Sequence, residues 1–572
     1  AGKTFTSRTN SGFARTEIAV SESDPATAYI SMVNQSDSKV GKMQVTGNAG
    51  LSWTDIVIPG GTETYTAGQG WYNNILAVHP LYAKIVYAGG LDIYKSTNSG
   101  SAWTKKSYWY NDQSSPQFVH ADNHAIVFDP SDPKVMYAGN DGGVFKSTNL
   151  GDSWVSLNNG LCITQFYYGA VDPGANSTKY YGGVQDNGTI KTDNSPNGWY
   201  TIGGGDGGAT EVDYVTPNVV YHEYINLQIS KSTTGGGNAA ICMNGIPTAS
   251  GKTGTTDRTE FISPFILDPN NHMTLLAGTF KIYKTTNQAA QWTAISGDLS
   301  TDGRSNVSAI GVAHGNSDVI YAGYSNGVIQ ATTDNGTTWQ KGIGLPNAYC
   351  KRIITDHSDT ATAYAVYSGY STYSKVFRST NYGLSWVNIT GDLPNIPVNC
   401  IQVNPADSRN IVIGTDLGIF VTENGGTNWV KNNNGLANVR VEDLDYRISD
   451  NRLFASTHGR GMYMASFNTV GVEGGKNTGR SDFHLAQNYP NPFNPSTNIR
   501  YTLNRESRVK IAVYNSAGQE IKELANSNQD AGTYTVRWDG RNNYGSDAAS
   551  GVYYYKITSG NYTESKKMVL IR

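Results

Sequence analysis

Apolar and polar residues alternate along most of this chain in short runs, and clusters of Asn, Asp, Gly and Ser separate the runs. Alternation with period two puts every second side chain on one face of a strand, and such clusters make tight turns. The pattern therefore predicts short strands joined by turns rather than helices. Val307 to Gln340 gives one unit in full: a strand through Ile310 and Val312, a second from Val319 to Ala322, a third from Val328 to Thr332, a polar turn, and an outer strand from Thr338.

The unit repeats with a period of roughly 40 to 50 residues, the spacing of propeller blades. Its clearest mark is the turn before the outer strand. Ser147, Asn149, Gly151, Ser153 and Trp154 return as Ser379, Asn381, Gly383, Ser385 and Trp386, while Thr332, Asp334, Gly336, Thr338 and Trp339 carry the form with Asp. Further copies hold Asn48 and Trp53, Asn98 and Trp103, Asn287 and Trp292, and Asn424 and Trp429; degraded ones run from Thr192 to Trp199 and from Ser232 to Gly236. Gly2-Lys3-Thr4-Phe5 reads as the tail of one more, making ten. A second marker, an Asp-Pro-like turn before a Val-Tyr-Ala-Gly-like strand, runs in phase around Tyr29, Tyr87, Tyr137, Tyr180, Tyr221, Leu276, Tyr321, Tyr364, Val412 and Leu453, and again counts ten.

A turn of this composition has a mechanical use. The Asn or Asp oxygen accepts backbone N–H groups, Gly supplies positive φ, the hydroxyl bonds locally, and the Trp buries a large face between strands or blades. These residues resemble the Asp-box, or BNR, repeat of sialidases, sortilin-type receptors and xyloglucanase-type glycosidases. The resemblance implies that the boxes are scaffold, not metal or substrate ligands, and that ligands sit on the opposite face.

The last unit holds three strands, Val441 to Tyr446, Leu453 to Ser456 and Gly461 to Phe467, and no box, whereas residues 1–8 offer a box tail and one outer strand. Residues 1–8 are accordingly predicted to complete the last blade, so that residues 1–467 form a single ten-bladed propeller without an open edge. Ten is also the blade number of the sortilin-type ectodomain. The tandem seven-bladed pair of xyloglucanase-type enzymes would take about fourteen repeats.

Residues 468–482 have no hydrophobic period and read as a linker. In residues 483–572 alternation resumes between turn clusters, which predicts a small Ig-like β-sandwich of about seven strands. The expected fold class is thus all-β, a large propeller followed by a sandwich. Asn488-Tyr489-Pro490-Asn491-Pro492-Phe493-Asn494-Pro495-Ser496-Thr497, Trp538-Asp539-Gly540 and Ser550-Gly551-Val552-Tyr553-Tyr554-Tyr555 closely resemble the C-terminal sorting domain of type IX secretion substrates of the Bacteroidetes. That resemblance implies handling by the type IX secretion machinery, with release or attachment at the outer cell surface after removal of a signal peptide.

Charge and cysteines narrow the partners. A net charge of -3 without any Lys/Arg cluster gives no footprint for nucleic acid, and no apolar run is long enough to span a bilayer. Four cysteines stand far apart with no CxxC pair, which argues against a zinc or redox motif. Cys350 and Cys400 fall at the starts of neighbouring inner strands, where they form either a disulfide or two buried thiols.

Loops between second and third strands, and between blades, open on the face away from the boxes. They carry Asp141 (NDGG), Asp186 (QDNG), Asp206 (GGDGG), Asp416 (TDLG), and His458 with Arg460 (THGRG). Asp186 and Asp206 belong to one blade and its exit loop and make the best pair. Two carboxylates can do acid–base work on a glycosidic bond, can hold calcium as hard oxygen ligands, or can each cap a Gly-rich turn. His458 and Arg460 suit a pH-sensitive or anion-binding spot as well as a solvated turn. Tyr108, Tyr110, Tyr167, Tyr168, Tyr370 and Tyr373 can stack on sugars or pack strands. No cofactor motif occurs, nor the arginine triad and Tyr nucleophile of a sialidase. Two functions remain: a non-catalytic surface protein that binds protein or glycan or self-associates into a filament or sheet, and a glycoside hydrolase working through Asp186 and Asp206. Propellers host both.

Overall fold

Strands form where the alternation predicts them. In the computed structural model, which describes residues 12–192, 198–370, 373–467, 483–485, 487–503, 506–515, 518–559 and 562–571, the segment from Phe13 to Ser466 folds into ten antiparallel sheets in sequence order. Numbered one to ten, they span 13–55, 75–105, 123–156, 166–203, 207–241, 265–294, 307–341, 350–388, 398–431 and 441–466, and among the described residues only the tenth has three strands instead of four. The first strand of sheet seven, Val307–Ala313, is buried along its whole length. A strand covered on both faces needs a nearly continuous apolar run, which its sequence supplies apart from Ser308, whose hydroxyl donates to Cys350 O at 2.7 Å.

First strands abut in order from sheet four to sheet ten, and that of sheet ten returns to that of sheet four. Sheets four to ten therefore close a ring of seven. Sheets one, two and three abut in the same manner as a separate arc. At its two ends the inner strands leave side chains bare, with Ile18 57% and Val127 55% exposed. Ten sheets match both sequence markers, but the single ring expected to close through residues 1–8 is corrected to one that closes at residue 166. Residues 1–8 lie outside the described residues. The closure is made by carboxylates of sheet ten: Asp443 Oδ2 accepts the Gly169 N–H at 3.1 Å, Asp445 Oδ2 that of Val171 at 3.1 Å, and Asp450 Oδ2 that of Asn176 at 2.9 Å. Counting repeats gives the number of sheets; these particular side chains decide which two sheets meet.

The repeated turn has one hydrogen-bond set. In the copy at Ser147, the Ser147 Oγ accepts the amides of Asn149 (3.3 Å) and Gly151 (2.8 Å) and donates to Asn149 Oδ1, which also accepts the Ser153 amide at 2.9 Å. Leu150 and Gly151 between them hold φ of 61° and 87°, which a Gly meets without strain. The same set recurs around Asn48, Asn98, Asn287, Asp334, Asn381 and Asn424. The Trp then reaches the preceding sheet, donating its indole N–H to Val57 O from Trp103, Lys106 O from Trp154, Cys242 O from Trp292, Ile295 O from Trp339 and Ile389 O from Trp429. Trp386 bonds Gly383 O in its own turn instead.

Apolar cores lie between sheets, one cluster at each junction from one to three and from four to ten. Cys350 and Cys400 sit in two of them as free thiols, which corrects the pairing that their sequence positions allowed. The Cys350 sulfur lies over Gly323 of sheet seven, while Cys400 Sγ donates to Val441 O of sheet ten at 3.8 Å. The two thiols thus face opposite ways around the ring.

The chain divides into two compact units between Val472 and Glu473. The predicted linker, 468–482, lies outside the described residues. In the second unit, sheets of three strands (Phe483–Leu485, Thr497–Leu503, Gly532–Trp538) and four (Ser507–Asn515, Glu520–Gln529, Gly551–Ser559, Tyr562–Leu570) enclose Phe493, Tyr501, Ile511, Trp538 and Tyr555. This is an Ig-like sandwich of seven strands.

Candidate functional site

A cleft of about 760 Å³ opens where the arc meets the ring, walled by sheets three, four and ten and by the turn that carries Tyr72. It contains two of the proposed carboxylates. Asp141, in the hairpin Asn140–Gly143 of sheet three, accepts the Tyr72 hydroxyl on Oδ2 at 2.9 Å and meets His124 Nε2 at 2.8 Å through Oδ1. Asp186, in the corresponding hairpin of sheet four, has a left-handed backbone with φ of 57°. That conformation is costly for a non-Gly residue. It is held from both sides, since its amide donates to Asp206 Oδ1 at 3.0 Å and His120 Nε2 lies 2.9 Å from its carbonyl oxygen.

Burial, together with Asp206, Asp141 and Asp122 nearby, pushes the Asp186 carboxyl up to about 7. Low dielectric and like charge both disfavour the anion, so near neutrality this group holds a proton it can give. Asp206 is also raised by burial, but its carboxylate is engaged with the Asp186 amide and it does not line the cleft. His124 is raised by its bond to Asp141. Tyr167 is raised by burial and by Asp206 and Asp186.

The remaining predicted residues divide. Arg460 lines the cleft. His458 adjoins it through an antiparallel bridge to Gln165, with Nδ1 buried and unpartnered and its pKa lowered by burial. Asp416 stands elsewhere, on sheet nine, bonded to Asn399 Nδ2 at 3.0 Å, Tyr370 OH at 3.3 Å and Arg440 Nε at 3.4 Å. Among the tyrosines, Tyr108 and Tyr110 flank the Lys105 ammonium at 4.7 and 4.9 Å, and Tyr168 lies under the Arg352 guanidinium.

Four contributors escaped the sequence reading: Tyr72, His120, Asp122 and His124. The run His120-Ala121-Asp122-Asn123-His124, just before an inner strand, was a signal available to it. Asp122 accepts the Asn73 amide at 2.6 Å. Among the described residues no three Asp, Glu, His or Cys side chains converge as a cation-ligating group, and no helix is long and apolar enough to cross a membrane.

Residues 494–562 match the FlgD Ig-like domain family. No curated protein matches the chain. Solved structures similar to it include a GH74 enzyme of Niastella koreensis, 16% identical over 78% of this chain and 90% of that one, TM-score 0.27. Also similar are YCF48 bound to D1 peptide (13% identity, 53% and 91%, TM-score 0.38) and PorZ, a surface component of the type IX secretion system of Porphyromonas gingivalis (13%, 97% and 92%, TM-score 0.25). At such scores the propeller description rests on the strand pairing given above.

Proposed function

We propose that this is a surface protein whose propeller binds a glycan in the cleft without cleaving it. The observation that carries the reading is the use of Asp206: its carboxylate holds the Asp186 amide, so the two-carboxylate machinery that hydrolysis requires is not assembled from that pair. The cleft wall supports a sugar ligand, since Tyr72, Trp199 and Tyr463 line it together with Asn158, Gln185 and Asn187. Sugars present apolar ring faces and hydroxyl edges, and want both. Beside it Trp71 is 62% exposed, its ring 5.4 Å from that of Tyr72, on a turn fixed by Arg15 bonds to the carbonyls of Trp71, Tyr72 and Asn74.

One observation favours a second reading. The Asp186 carboxyl near 7 beside a hydrogen-bonded Asp141 has the character of a general acid with a second carboxylate at hand, as in a glycoside hydrolase. One experiment separates the two. Affinity electrophoresis against a panel of plant and bacterial polysaccharides is expected to show retardation by at least one, weakened about tenfold by Trp71→Ala, the equivalent of about 1.4 kcal/mol, with no reducing ends released. Release of reducing ends that Asp186→Asn and Asp141→Asn each abolish selects the hydrolase.

For the second unit we propose a sorting role in type IX export, which the sequence of its loops and its Ig-like fold support. Deleting residues 483–572 is expected to leave the propeller in the periplasm of a type IX-competent host, with loss of nearly all surface signal by immunoblot of fractionated cells. Undiminished surface delivery would end this reading.

A further inference from the structure

The junction between sheets ten and four differs from every other junction of the ring. The other six each hold an apolar cluster. Among the described residues this one holds no such cluster; its apolar contacts are the Tyr180 and Phe454 rings, 5.6 Å apart, and the Met462 methyl against Gly169. Asp443, Asp445 and Asp450 accept three backbone amides of sheet four, Arg447 donates to the Ser177 carbonyl at 2.9 Å, and Ser449 donates to the Pro173 carbonyl at 2.6 Å. Non-directional apolar burial tolerates small shifts; a junction of directional bonds does not.

Behind it lies an unbalanced charge cluster. Arg352 of sheet eight pairs with Asp443 Oδ1 and covers the Tyr168 ring of sheet four at 4.6 Å. Asp443, Asp445 and, from sheet five, Glu211 act on this cation, with the Cys400 thiol of sheet nine nearby, while the adjacent Glu442 is paired with Arg440 at 2.7 Å and Lys351 at 3.5 Å. Three carboxylates lie around one guanidinium in a site only partly open to water, where the Arg352 and Asp443 side chains keep 19% and 10% of their surface.

We propose that this junction is a latch at which the ring loosens as pH rises, and that loosening it parts the cleft, whose walls include residues of the same two sheets. Burial and the neighbouring carboxylates raise Asp445 to about 7 and Glu211 to about 8. A carboxyl raised on folding contributes stability that is complete below its unfolded value near 4 and is lost as pH climbs through the folded value. The latch is therefore tight at pH 5 and weakened by pH 8. The effect on the cleft rests on the cleft being the binding site; the latch does not.

Hydrogen exchange of the intact chain without ligand tests the latch by itself. After correction for intrinsic rates, the Gly169 and Val171 amides are expected to lose about tenfold in protection between pH 5 and 8, while Ile353 and Ile401, in apolar junctions, stay level. Asp445→Asn keeps an oxygen for the Val171 amide and removes one of the two charges that develop, and is expected to reduce the response. Equal protection at both pH values, or an unchanged response in Asp445→Asn, overturns the latch. A latch that responds while polysaccharide binding is absent keeps it and rejects only the cleft reading.

Discussion

Trp292→Ala is expected to lower stability by about 3–5 kcal/mol, read as a fall in the urea midpoint of the ring's unfolding. Trp292 is 1% exposed, and its indole N–H donates to Cys242 O of the preceding sheet at 2.8 Å. Truncation leaves a cavity in the cluster formed with Tyr221, Met243 and Tyr283, and a half-buried carbonyl without this donor. Asn287→Ala, in the same turn, removes acceptor bonds to the Thr285 hydroxyl and the Gln291 amide at an exposed site and is expected to cost about 1 kcal/mol. The contrast distinguishes two roles within one motif: the polar residues shape the turn, and the Trp joins sheets. If the two substitutions cost the same, the joining role is wrong.

This division explains what was legible in the sequence. A turn closed by its own side chains is local, so Ser147, Asn149 and Gly151 announce it wherever they recur, and the number of sheets follows by counting. Ring closure is not local. Asp443, Asp445 and Asp450 stand in an inner strand and the turn after it, and nothing in their spacing says that their partners lie 274 residues earlier. Cys350 and Cys400 failed as a pair for a related reason: similar positions in adjacent strands fix neither side-chain direction, and the two sulfurs turn to opposite neighbours.

The site shows the same boundary. Asp141 and Asp186 were readable because each occupies the Gly-rich hairpin between second and third strands, and equivalent hairpins come to the same end of a propeller. Asp206 shared the composition but not the role, since whether a carboxylate caps an amide or faces a ligand depends on a neighbour twenty positions away. Tyr72 was invisible because it reaches Asp141 from 69 positions earlier, whereas His124 stood in a run whose composition was a signal. Both contacts form within the arc, whose last sheet carries Asp141 into the cleft.

Arg352→Met is expected to cost about 3–5 kcal/mol at pH 8, the loss typical of stranding a buried partner. The side chain is 19% exposed and supplies the cation that faces Asp443, Asp445 and Glu211. Methionine fills much of its volume, so charge rather than a cavity dominates. Without the guanidinium Asp445 and Glu211 bind protons more tightly in the folded state, so the penalty shrinks as pH falls and they become neutral. Denaturation midpoints of the variant should therefore approach those of the wild type at pH 5 and separate at pH 8. Adding Asp443→Leu to Arg352→Met removes the most closely paired anion and should recover part of the loss at pH 8, because a buried pair replaced by apolar groups of similar size is often neutral. A penalty that is the same at both pH values would mean that Arg352 acts by packing against Tyr168, and that the carboxylates of sheet ten close the ring without it.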